Sequence, residues 1–279
     1  ANVGDITNRG IEFTINATPI SMKDFTWDTS LNLSHNKNNV KSISNSDYSV
    51  DYIATGDPEI AGYSSNAQVE RIMEGHPLGT FYTYEWAGYN AEGISVFYKH
   101  DPETGERTGE TTKDPVDTDR TITGSAQPKL NLGWTNNFKY KNWSLDLFFT
   151  GVFGNKIYNA TKEQYSNVTF DTEGRNVLKS VATEQKATDV QSQAPSDRWL
   201  ENGDYFRLST LSLGYSFGKL GNWVNSLKVY ATCNNLFTIT GYSGRDPEIN
   251  LGGLEPGIDR RTNYYPRTRT FMLGVNVNF

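Results

Sequence analysis

The sequence predicts an all-β fold, a transmembrane antiparallel β-barrel of which this chain supplies part. Three observations carry that prediction. Apolar and polar residues alternate over several segments, aromatics are abundant although the average residue is polar, and short connections alternate with long ones. The alternation is clearest in the last segment, where Phe271, Leu273, Val275, Val277 and Phe279 interleave with Met272, Gly274, Asn276 and Asn278. A period of two sends each set to its own face of a strand, one apolar and one wet. The 16 Tyr, 14 Phe, 6 Trp and 25 Gly occur in a chain of mean hydropathy -0.61, a mixture that suits such two-faced strands.

Taken in order, strands are expected at Gly10 to Ile20, Phe25 to about Lys41, Gln68 to Glu74, Thr80 to Tyr89, Leu130 to Tyr140, Trp143 to Phe149, Thr210 to Phe217, Leu227 to Asn235 and Phe271 to Phe279. That is about nine, the segments from Gln68 and from Thr80 being the weakest. The connections Pro19 to Asp24, Gly75 to Gly79, Lys141 to Asn142 and Gly218 to Ser226 are short. Those from Ile43 to Ala67, Asn90 to Pro128, Asn155 to Asp204 and Thr238 to Pro266 are long, polar and rich in Gly and Pro, and they fall at every second position. Short turns at one end and long loops at the other is the outer-membrane barrel arrangement. Glu173 to Lys186, in the third long loop, has the composition of a short helix but no apolar stripe.

If the last strand runs toward the periplasm, an odd number of alternating strands makes the first run the same way, and every short turn faces the periplasm. About nine strands do not close a single-chain bacterial barrel, which has an even number and no free edges. The rest of the barrel is therefore expected outside this sequence, and Ala1 reads as a truncated or processed start. No stretch approaches the ~20 apolar residues of a membrane helix. The net charge of -6 and the lack of a basic patch argue against nucleic acid as a partner. Cys233 is the single cysteine, so no disulfide framework or thiol metal site is expected. It shares its parity with Leu227, Val229 and Ala231, which turns it toward lipid.

Several motifs then become specific. Asn2-Val3-Gly4-Asp5-Ile6-Thr7-Asn8-Arg9-Gly10-Ile11-Glu12 resembles the N-x-G-x-x-x-N-[KR]-G-x-E segment of SusC/RagA-type TonB-dependent transporters. Glu74-Gly75-His76-Pro77-Leu78-Gly79-Thr80-Phe81-Tyr82 is similar to that family's E-G-x-P-x-G-x-F-Y turn, with His76 where Gln is common. Gly124 to Lys129 resembles G-x-x-x-P-[KR], and the run Ser196-Asp197-Arg198-Trp199-Leu200-Glu201-Asn202-Gly203-Asp204-Tyr205-Phe206-Arg207-Leu208 resembles S-D-R-x-[IVL]-E-[DN]-G-[SD]-[YF]-x-R-[LI]. Asn234-Asn235-Leu236-Phe237 followed by Asp246-Pro247-Glu248 is like N-L-[FY]…[DN]-P-E. Tyr265-Pro266-Arg267-Thr268-Arg269-Thr270-Phe271 is like Y-P-x-x-R-[ST]-[FY], and the terminal Phe279 fits the barrel-assembly signal.

The resemblance implies a plugged barrel of about 22 strands, of which residues 1–279 form a C-terminal portion without the plug or the first strands. It implies active import of an oligosaccharide or oligopeptide across the bacterial outer membrane. The implied partners are a SusD-like lipoprotein that caps the mouth, the TonB-ExbB-ExbD complex acting through the missing N-terminal part, the remaining barrel and outer-membrane lipid. No enzymatic role and no cofactor are implied.

The residues sort accordingly. Trp27, Trp134, Tyr140, Trp143 and Tyr215 lie on the apolar parity and read as interface girdle or lipid-facing packing. Tyr84, Trp86, Tyr89, Trp199, Tyr242, Tyr264 and Tyr265 fall in loops or on the lumen side and are the candidates for stacking on a sugar or cradling a peptide. Arg198, Arg207 and Arg245 are expected to tie loops together through carboxylates. Asp101, Glu103, Glu106, Asp114, Asp117 and Asp119 form an acidic stretch that lacks the EF-hand spacing, so it reads as a solvated loop rather than a calcium site. His35, His76 and His100 show no zinc-type spacing, and no nucleophile elbow, P-loop or dinucleotide fingerprint occurs. A secreted lectin-like β-sandwich that binds glycan is the alternative, and a passive porin or adhesin barrel is a third reading. Neither explains both the spacing of the loops and the motif series.

Overall fold

A computed structural model describes residues 4–45, 48–60, 68–166, 176–179, 183, 189, 191–260 and 265–279. Its main feature is an antiparallel seven-stranded sheet. The strands are β1 (Asp5–Ser21), β2 (Phe25–Ser42), β10 (Leu130–Tyr140), β11 (Trp143–Phe153), β14 (Tyr205–Ser216), β15 (Ser226–Thr240) and β16 (Thr270–Asn278), paired in that order. Each has at least the ~9–11 residues that a tilted strand needs to cross a bilayer. The order follows the chain, each strand pairing with the wall strand before and after it although the smaller strands intervene between β2 and β10 and between β11 and β14, as in an up-and-down wall.

Register shows why these sequences make a wall. Opposed residues share a face, and Phe13, Leu33, Leu132 and Gly151 stand in one row across four strands. Leu145, Leu213, Ala231 and Leu273 make another row across β11, β14, β15 and β16. Ser34, Asn131 and Val152, or Asp146, Ser212, Thr232 and Met272, occupy the opposite face. The apolar face is left uncovered, with Phe271 at 71% and Leu273 at 88% exposure. In water such a face would be a gross defect, whereas in a bilayer it is the required outer surface. The girdle expected from sequence stands on it, with Trp27 stacked on Phe138 and Trp143 edge-on to Tyr215 at 4.8 Å between centroids. Indole N–H groups are satisfied locally: Trp27 donates to Asn136 Oδ1 and Trp134 to Thr29 Oγ1, both at 3.0 Å. Cys233 lies on the same face opposite Leu211 and Phe271, where neighbours cover it rather than leaving it open to lipid.

Seven strands, not about nine, form this wall among the described residues. The segments expected at 68–74 and 80–89 do form strands, but in small separate sheets. One pairs β3 (Ile53–Thr55), β4 (Glu70–Ile72), β5 (Thr80–Tyr84) and β9 (Arg120–Ser125), and the other pairs β6 (Trp86–Tyr89), β7 (Ser95–His100) and β8 (Arg107–Thr112). The physical reason is length and burial: β4 and β5 have 3 and 5 residues, too short to span, and β5 is buried on both faces. The turn at Gly75 to Gly79 therefore belongs to a loop, and the two long loops expected on either side of it are one excursion between β2 and β10. Seven is still odd, so β1 and β16 run the same way. The remaining short connections all lie at one end of the sheet and the three long ones at the other.

The second of these three long connections carries β12 (Lys156–Tyr158) paired with β13 (Leu200–Asn202), and a short helix α1 (Ala160–Tyr165) that the sequence pattern did not indicate. Asn159 caps it by accepting from Lys162 N. Most of the expected helix at 173–186 lies outside the described residues.

Candidate functional site

The long loops form one layer at one end of the wall. Ile60, Val69, Phe81 and Ala126 from the first excursion, Tyr158, Ala160 and Trp199 from the second, and Ile258 from the third share one buried cluster. Backbone bonds stitch the second and third together, with Tyr158 N donating to Gly257 O at 2.8 Å and Asp259 N to Tyr158 O at 2.9 Å. Gly79 has a φ of +74°, and a Cβ there would meet Pro256 Cγ at 2.5 Å, so first and third loops touch where only glycine fits.

The motif from Ser196 to Leu208 joins these parts residue by residue. Asp197 accepts the Trp86 N–H at 2.8 Å. Arg198 stands over three rings, 4.7 Å from Trp86, 5.1 Å from Tyr89 and 4.4 Å from Trp199, and donates to the Tyr89 hydroxyl. Glu201 accepts from Ser243 N and Oγ, both at 2.7 Å, and from Lys162 Nζ at 3.0 Å. Burial lifts the Glu201 carboxyl, but these donors more than offset it and hold it below the usual range. Asp204 accepts from Gly154 N at 2.6 Å. Arg207, 2% exposed, donates to Thr238 Oγ1 at 2.9 Å and to Glu248 at 2.7 Å, and also to Asp246; Arg267 completes the network on Glu248. Arg207 thus ties loops through carboxylates as expected, whereas Arg198 does so through aromatic faces. Arg245 lines a cavity of about 290 Å³ with Arg267 and Arg269.

Among the buried carboxylates of the layer, Glu70 and Glu163 are each 1% exposed. Burial, reinforced by the nearby Glu255 carboxylate and opposed by Arg260, pushes the Glu70 carboxyl up to about 9. Burial also raises Glu163 well above its ordinary range, against the opposing Tyr158 hydroxyl and Arg198 guanidinium. Glu70 is therefore protonated at neutral pH, and the upward shift of Glu163 works in the same direction, against placing a bare charge inside. Nothing in their sequence context signals this, because burial is a property of the assembled loops.

The aromatic candidates are distributed unequally. Trp86 and Tyr89 meet edge-on at 5.4 Å and share Arg198. Trp199 is in the common core, Tyr84 packs on Phe97, and Tyr242 is buried with its hydroxyl donating to Asp259 at 2.5 Å. Tyr265 is 84% exposed, and Tyr264 lies outside the described residues. In the acidic stretch, Asp117 pairs with Arg71 at 2.8 Å and Asp119 accepts from His100 N and Val116 N, while Asp101 caps its own turn. These are loop-ordering roles, and among the described residues no group of three or more His, Cys, Asp or Glu side chains is placed to hold a metal ion. His100 Nε2 lies 2.9 Å from Glu85, and His35 Nδ1 lies 2.7 Å from Lys129 O.

No family model matches the chain. Over its whole length, however, it is 31% identical to TonB-dependent receptor P3 of Formosa agariphila and 31% identical to TonB-dependent receptor SusC of Bacteroides thetaiotaomicron. Its fold matches the structure of the RagAB peptide transporter with a TM-score of 0.76, at 22% identity and over 100% of the chain. The chain belongs to the SusC/RagA-type TonB-dependent receptors. It spans 29% and 27% of the two curated relatives and 30% of the RagAB chain. In a receptor barrel an uncovered apolar face suits the lipid side and a polar face the lumen. Receptors of this type are β-barrels of the outer membrane.

Proposed function

We propose that the whole protein imports a nutrient, an oligosaccharide or an oligopeptide, across the bacterial outer membrane by gated transport rather than catalysis. TonB-ExbB-ExbD would supply the energy through a plug-bearing part of the protein that these residues do not include, and a SusD-like lipoprotein would seat on the loop layer. The observation that carries this reading is the pairing of a two-faced wall with long loops fused into one body at one end. A lid needs a firm rim, and the shared core and buried Arg207 network supply one. For cargo contact we favour Trp86, Tyr89 and Tyr265, which keep exposed surface; Tyr84, Trp199 and Tyr242 are buried and hold the loops in place.

The test is to extract the whole receptor from outer membranes in detergent and identify what stays with it through size-exclusion chromatography. A surface lipoprotein in stoichiometric amount supports the reading. A receptor that runs alone and leaves uptake of both labelled glycans and labelled peptides unchanged when its gene is deleted refutes it.

A further inference from the structure

β2 outruns β10. Their pairing ends with Ser34 opposite Asn131, and beyond it a cleft of about 480 Å³ opens between the end of β2 and the loop segments at 75–80, 122–129 and 154–156. His35, Lys37, His76, Lys129 and Lys156 line it together with Ile122, and no Asp or Glu does. Lys156 Nζ donates to Asn202 at 2.8 Å, whereas neither Lys37 nor Lys129 is in an ion pair among the described residues. In a chain with a net charge of -6, this pocket carries three lysines and no acid.

Register locates it. Phe13 faces Leu33, Ile11 faces His35 and Arg9 faces Lys37, so the column that is apolar through Ile11 and Leu33 turns basic at Arg9 and Lys37 on the same lipid-facing side. From Phe25 at the turn end to Lys37 is about 12 residues, ~40 Å of strand, or ~28 Å along the membrane normal at a tilt of ~45°. That lies just beyond the ~25 Å apolar band of such barrels, at the depth of lipid headgroups. Lysine stems can lie along apolar surface there while their ammonium groups meet phosphate. Ile122, 45% exposed, adds an apolar contact beside them.

We propose that this cleft holds the phosphorylated headgroup of a lipid in the leaflet at the loop end, with Lys37 and Lys129 as its charged contacts. The proposal rests on the outer-membrane reading above. An acidic cargo group would satisfy the same charges; Lys37 stands on the side of the wall that faces lipid, while Lys129 enters the cleft from just before β10 with the parity of Asn131, and the experiment separates the two sources.

The intact receptor, inserted in nanodiscs of phosphatidylcholine containing a minor fraction of phosphatidic acid, would be released into neutral detergent and its retained lipids counted by native mass spectrometry. Wild type is expected to keep phosphatidic acid in preference to phosphatidylcholine. The double variant Lys37→Gln/Lys129→Gln is expected to lose about twenty-five-fold in that preference, roughly fivefold for each basic group at a charged membrane surface, and Lys37→Arg/Lys129→Arg to keep it. Migration of unboiled samples on gels reports whether each variant has folded. Equal retention by the folded Gln variant, or weakened uptake of acidic cargo with lipid retention unchanged, overturns the proposal. Failure of the wild-type receptor to insert would instead count against the membrane reading itself.

Discussion

Leu273 and Met272 are neighbours on β16 that the register sends to opposite faces, Leu273 with Ala231 and Met272 with Thr232. Leu273 is 88% exposed, so nearly its whole side chain meets whatever surrounds the wall. Six residues separate it from Phe279, about 20 Å of strand and ~14 Å along the normal, which is near the middle of a ~25 Å apolar band. An arginine on the lipid face at mid-depth costs roughly 2–4 kcal/mol, about thirty- to several-hundredfold in the ratio of folded to unfolded receptor. Met272→Arg points into the water-filled side and should change stability by only ~0.5 kcal/mol. The assay is refolding of the intact receptor into lipid vesicles, with the folded fraction read from the mobility of unboiled samples across a urea series. Equal midpoints for Leu273→Arg and Met272→Arg, or a larger loss for Met272→Arg, would refute the assignment of faces and with it the membrane wall.

Four further outcomes follow from the loop layer. Arg207→Gln leaves Asp246 and Glu248 without their buried partner and should cost about 3–5 kcal/mol, read as faster hydrogen exchange across 241–260; adding Asp246→Asn and Glu248→Gln should recover part of it. Arg198→Ala removes a cation shared by three rings, a loss of about 2 kcal/mol, seen as a red shift of tryptophan emission and quicker proteolysis between 154 and 204; Arg198→Lys should recover only part because it lacks the planar guanidinium. Glu70 keeps its proton in the fold while the unfolded chain gives its proton up near 4.5, so its contribution to stability falls as pH rises from about 4.5 to about 9 and levels off above. Glu70→Gln should flatten that slope and raise the melting temperature at pH 8, which thermal scans at pH 5 and pH 8 will check. Gly79→Ala should destabilise the layer by roughly 1–3 kcal/mol, since its φ and its closeness to Pro256 both oppose a side chain, with a lower melting temperature as the readout.

The wall was legible in the sequence because its cause is local. Phe271, Leu273, Val275 and Val277 alternate with small or polar partners, and any strand with that pattern must show two faces. The motif from Ser196 to Leu208 was legible as a resemblance, and the tying role of Arg207 as a matter of charge, but its partners Asp246 and Glu248 lie some 40 residues on and only the folded loops bring them near. The small strands β4 and β5 were misplaced in the wall because a few alternating residues carry no record of whether one face or both will be covered. Arg198 followed the same logic: its charge suggested a carboxylate, and the convergence of Trp86, Tyr89 and Trp199 gave it rings instead. Periodicity, turn length and composition therefore determined on their own that this is a two-faced barrel wall with its loops at one end. Which loops share a core, which aromatics stay exposed and which carboxylates lose their charge were decided by tertiary packing, because burial and long-range contact depend on residues far apart in the chain.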